Sequence, residues 1–117
     1  MAYQKKLDAI KMCIQCAHDC TLCAHDCLHL GGEHATPAHQ TMLHDCADLC
    51  TLVAHFLARH SPNAAAMTTQ CAIVCEHCAA GCEKLAHGEG HMAMKKCAKT
   101  CRDCAEACEA LETVEIT

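Results

Sequence analysis

The sequence predicts an all-α protein: an antiparallel, up-down-up-down four-helix bundle with a cysteine-lined core. Three observations carry that reading. Strand formers are scarce, with one Phe, one Tyr and no Trp, while Ala and Leu, both good helix formers, are abundant. The fifteen cysteines recur at steps of three and four, the spacing of the buried stripe of a bundle helix, where leucine normally stands. Finally, the unit CAxxCxxCAxxC occurs three times and a degenerate copy once, as four similar helices require.

The first helix is expected over roughly 3–30. It carries Cys13, Cys16, Cys20, Cys23 and Cys27, and Gly31-Gly32 ends it. The second spans roughly 36–60, opened by Thr36 as N-cap with Pro37 at the first helical position. It keeps Cys46 and Cys50 but continues the stripe with Val53 and Leu57. Ser61-Pro62 repeats the cap-plus-proline signal, so the third is placed at roughly 62–86, with Cys71, Cys75, Cys78 and Cys82. The glycines of His87-Gly88-Glu89-Gly90 then turn the chain into a fourth helix at roughly 91–112, with Cys97, Cys101, Cys104 and Cys108. At 117 residues the chain is expected to form a single domain, large enough to bury a core without cross-links. Alanines beside the stripe, such as Ala24, Ala72 and Ala98, let the helix axes approach closely.

Several functions are disfavoured. The formal charge of −5 offers no basic stripe for nucleic acid. No apolar stretch is long enough to span a membrane, and no leader-like run follows the initial methionine, so the expected location is the cytoplasm. There thiols stay reduced, and cysteine in quantity points to metal or redox chemistry. The di-iron Glu-x-x-His motif, CxxC followed by His, and the ferredoxin C-x2-C-x2-C run are all absent.

A stripe of cysteine fills less volume than one of leucine, so packing alone does not account for it. Thiolates select Cu(I), Zn(II) or iron-sulfur clusters. Without bridging, zinc at four sulfurs each uses the set for about three ions, whereas Cu(I) with shared sulfurs takes about fifteen. Each Cu(I) also cancels one thiolate charge that a protein interior cannot hold unpaired. The residues therefore favour storage or buffering of many Cu(I) ions. The alternatives are a thiol redox or peroxide-scavenging protein, which needs exposed cysteines of low pKa, and a zinc or cadmium sequestration protein.

With CADLC on the second helix and CAxxCxxCAxxC on the other three, nearly the whole chain resembles the bacterial copper storage proteins, specifically their cytosolic branch. The resemblance implies a four-helix bundle holding many Cu(I) ions on cysteine thiolates, a homotetramer, and no catalysis. A copper donor or acceptor protein is the partner such a store calls for.

Antiparallel threading gathers His29, His34, His39, Met42, His87, His91, Met92 and Met94 at one end, and Leu7, Ile10, Val53, Phe56, Leu57, Met67 and Leu111 at the other. Imidazole and thioether hold copper less firmly than thiolate. The first end is therefore the expected way in for metal, through His39 and Met94 on the extended stripe and His34, Met42, His87, His91 and Met92 around them. His18, His25, His55 and His77 fall opposite the stripe and are expected to face solvent.

Overall fold

The computed structural model describes residues 2–87, 91–111 and 116. Four helices follow in order: α1 (Ala2–Leu30), α2 (Pro37–Ala58), α3 (Ala64–Leu85) and α4 (Met92–Glu109), with one 3-10 turn, Gly32–Ala35, between α1 and α2. Among the described residues there is no strand. Each helix packs against two neighbours in the cyclic order α1, α2, α3, α4. Neighbours run antiparallel: Cys13 meets Cys104, Cys16 meets Cys101 and Cys20 meets Cys97 across α1 and α4, while Cys46 meets Cys75 and Cys50 meets Cys71 across α2 and α3.

Local chemistry sets the helix ends. Gly31 and Gly32 end α1 at φ 70° and 55°, values that cost glycine little and other residues much. Thr36 caps α2, its Oγ1 accepting from the His39 amide at 3.3 Å, with Pro37 behind it. The other end of α2 comes two residues earlier than expected. His60 turns to φ 54°, and its amide and that of Ser61 donate back to Leu57 and Phe56, a Schellman closure with histidine where glycine is usual. The Lys6 ammonium lies 2.6 Å from Nδ1 of that histidine and anchors it. Pro62 does not open α3. The Asn63 amide donates to the Ser61 hydroxyl and the Ala64 amide to the Ser61 carbonyl, so a turn absorbs the proline and the helix starts at Ala64. Helix α4 ends at Glu109, with the Leu111 amide turned back to the Cys108 carbonyl at 3.3 Å. The glycine turn expected at 88–90, and residue 112, lie outside the described residues.

The bundle core is the cysteine stripe, flanked by buried alanines (Ala24, Ala47, Ala54, Ala72, Ala79, Ala98, Ala105) and closed below by Val53 and Leu57. One polar joint ties α1 to α4. The Asp19 carboxylate is almost fully buried and accepts from the Thr100 hydroxyl at 2.7 Å and from the Gln15 amide at 2.9 Å. Lys96 stands 3.8 Å away. Removing one donor from a buried carboxylate costs about 1–3 kcal/mol. Thr100→Val should therefore lower the unfolding free energy of the reduced, metal-free protein by that amount, seen as a lower urea midpoint at an unchanged m-value; an unaltered midpoint would show that Asp19 is satisfied without the hydroxyl.

Candidate metal centre

The a and d positions of all four helices converge on one axis, and the residues there are mostly cysteine. All fifteen cysteines are buried and free. Neighbouring sulfurs stand 3.6–3.9 Å apart both along and between helices: Cys16 to Cys101, Cys20 to Cys97 and Cys50 to Cys75 at 3.6 Å, and Cys20 to Cys78, Cys71 to Cys75 and Cys23 to Cys27 at 3.9 Å. Close alanines make this approach possible, and one glycine does the same outside the stripe. A Cβ on Gly81 would lie 2.6 Å from the sulfur and terminal methyl of Met42, so α3 is notched where α2 presses its thioether.

Five groups of sulfurs are tight enough to hold a metal ion. Four are quartets, Cys13/Cys71/Cys104/Cys108, Cys16/Cys50/Cys75/Cys104, Cys16/Cys20/Cys46/Cys101 and Cys20/Cys78/Cys97/Cys101, and the fifth is the trio Cys23/Cys82/Cys97. They share corners. Cys104, Cys16, Cys20, Cys101 and Cys97 each belong to two groups, and Cys27 continues the row from Cys23 towards His39, whose Nε2 is 3.4 Å from its sulfur. A spacing of 3.6–3.9 Å also suits four sulfurs around one zinc at about 2.3 Å each, so distance alone does not choose the metal. Sharing favours thiolate-bridged ions over separate sites, and charge balance then favours monovalent ones, one per thiolate.

Electrostatics demand such an array. Lys6 is the one buried lysine or arginine among the described residues, and it lies at the far end, against His60. The Cys23 thiol is pushed above the ordinary range by hydrogen bonding with Cys82 and Cys97 and by burial; burial does the same to Cys27. Cys13 goes the other way, held at about 6 by the thiols of Cys104 and Cys108, and hydrogen bonds from neighbouring thiols also lower Cys16, Cys46, Cys71 and Cys97. Raised thiols keep their protons until a metal replaces them.

The two ends differ as their sequences do. Near the top, a cavity of ≈ 210 Å³ between the end of α1 and the start of α4 is lined by Asp26, Cys27, His29, Leu30, His91, Ala93 and Met94. Cys27, Met94 and His91 thus meet at one opening. His39 is buried, and desolvation holds its imidazole below the usual pKa, so it is neutral with a lone pair to offer. His34, His87 and His91 draw together, with ring centroids 4.9–6.2 Å apart. Of the other residues assigned to the mouth, Met42 packs against Gly81, and Met92 is 70 % exposed. His18, His25, His55 and His77 face solvent. At the bottom, Val53 and Leu57 are buried as expected, but the Lys6–His60 pair is also there. Spacing in the sequence gave no sign of it, because its partners are fifty-four positions apart.

The sequence profile of the copper storage proteins matches residues 2–113. This chain belongs to the copper storage protein family. Solved structures share its fold, among them three at 30 % identity or more. The Nmul_A1745 protein of Nitrosospira multiformis is 30 % identical, with a TM-score of 0.83 over 95 % of this chain and 97 % of that one. The Cu(I)-bound copper storage protein BsCsp3 is 31 % identical, with a TM-score of 0.81 over 92 % and 97 %. Apo-Csp3 from Bacillus subtilis is 32 % identical, with a TM-score of 0.77 over 89 % and 95 %. No curated protein matches the chain. For a copper storage protein, the corner-sharing sulfur groups are the expected interior.

Proposed function

We propose that this protein stores Cu(I), with all fifteen cysteines as ligands in thiolate-bridged clusters inside one bundle domain. The observation that carries this reading is the sharing of sulfurs between neighbouring groups along the whole axis. Monovalent ions bound to bridging thiolates balance the charge about one to one, and no cation of the protein lines the stripe to do so. Family membership and the Cu(I)-bound relative support it. The function is holding rather than catalysis: the thiols are buried, and a thiol-based redox enzyme needs an exposed, activated one.

A reducing compartment, the cytoplasm, fits fifteen free, buried thiols set side by side, since oxidation would consume the ligands. No helix among the described residues is long and apolar enough to cross a membrane. Assembly into a homotetramer would cover the apolar side chains that α1, α2 and α3 leave exposed, among them Ile14, Leu52 and Ile73. Copper arrives from a donor protein through the cavity at Cys27, Met94 and His91, with His39 next along the axis and His34 and His87 outside. Met42 and Met92 belong to the same end and act before the cavity.

Anaerobic Cu(I) titration against a competing chelator tests the storage reading. Changing Cys71, Cys75, Cys78 and Cys82 to serine should cut capacity by roughly a quarter, on one ion per thiolate, with the helical circular dichroism preserved; unchanged capacity would put the copper elsewhere.

The route makes a separate prediction. His39→Ala and Met94→Leu remove weak ligands and leave the thiolates, so transfer from a Cu(I) donor, followed by stopped flow, should slow while final capacity falls by at most a few ions. Parental kinetics in both variants, with faster loading when Val53 and Leu57 are cut to alanine, would place the door at the other end.

A further inference from the structure

Above the copper cavity three histidines from separate segments face one another. His34 comes from the 3-10 turn, His87 from the residues after α3, and His91 from the N-cap of α4. Their ring centroids are 4.9 Å (His34 to His91), 5.7 Å (His87 to His91) and 6.2 Å (His34 to His87) apart. Three imidazoles on one tetrahedral ion, each nitrogen at 2.0–2.1 Å, would have centroids about 5 Å apart. The His34–His91 spacing already matches, and His87 stands farther out.

The hydrogen bonds select the ligating atom. His34 uses Nε2 to donate to the Leu85 carbonyl at 3.2 Å, and His87 uses Nε2 to donate to the Glu33 carboxylate at 3.1 Å. A neutral imidazole that donates from Nε2 carries its lone pair on Nδ1. The third, His91, has its Nδ1 buried with no hydrogen-bond partner, an unpaired polar atom of the kind that protein interiors rarely leave. All three rings therefore present Nδ1. Two are also backed through the opposite nitrogen by a carbonyl or a carboxylate, the support that orients histidine ligands in metal sites.

From this geometry we infer that His34, His87 and His91 form a second metal site, distinct from the thiolate store, that binds one borderline divalent first-row cation of the Zn(II) or Cu(II) class. Three neutral nitrogens without sulfur favour such an ion over Cu(I), which the cysteines take. The inference goes beyond copper storage and does not depend on it. A bound ion would join the 3-10 turn, the end of α3 and the start of α4 across the mouth, and so restrain the opening at His91.

Anaerobic Co(II) titration of the Cu(I)-loaded protein tests this, because the thiolates are then occupied and Co(II) reports its ligands by its spectrum. One equivalent should bind, with visible d–d bands and no new sulfur-to-cobalt charge transfer. His87→Ala should abolish binding, and Glu33→Gln should weaken it about tenfold or more. Glu33 is exposed and is not on the copper route, so Cu(I) capacity, loading and helicity should stay parental in Glu33→Gln and separate loss of this site from failure of the store. Chelator removal of Cu(I) should slow when Co(II) is present in the parent but not in His87→Ala. No bound Co(II), equal binding to His87→Ala, or a sulfur-ligated spectrum would overturn the inference.

Discussion

The rest of the structure depends on the cost of a buried thiolate. Sulfurs 3.6–3.9 Å apart, shielded from water, cannot ionise together without positive charge among them, and the helices supply none along the axis. The metal-free core is therefore largely a row of neutral thiols, small and weakly cohesive. Adhesion comes from what surrounds it: alanines that let the helices close up, Leu43, Val53 and Leu57 as larger fillers, and the Asp19–Thr100 joint between α1 and α4. Loading exchanges protons for cations along that row.

Register made most of this legible. A cysteine every three or four residues fixes which face of each helix turns inward, and every stripe position named from the sequence is buried, including His39 and Met94. Thr36 and Pro37 gave the start of α2 because a cap acts over three residues. What stayed hidden depends on partners far along the chain or on a local exception. Asp19 reads as a surface acid on a helix until Thr100 comes down on it. His60 occupies a left-handed position that sequence rules give to glycine, and Lys6, at the other end of a polar contact, reads as an ordinary surface lysine. Ser61-Pro62 looked like the opening of a helix, and the serine instead closes a turn onto Asn63 and Ala64. Gly81 shows its purpose only when Met42 is placed against it.

The histidines were legible as a group and not as individuals. Chain direction placed them at one end, but only the fold separates His39, inside and next to Cys27, from the facing trio above it and from Met92 out in solvent. Ligand strength therefore falls from sulfur to nitrogen over a short path out of the bundle, whereas the opposite end is closed by aliphatic side chains and one buried amine. A store built this way has a direction, set by which loops carry imidazole.

The central claim is that the sulfurs act as bridges in one continuous array. X-ray absorption at the copper K-edge of the fully Cu(I)-loaded protein tests it most directly. Bridged clusters predict a first shell of sulfur with strong copper–copper backscattering at short range. A shell dominated by nitrogen, or sulfur-bound copper without a neighbouring copper, would contradict it and mean that the ions sit apart.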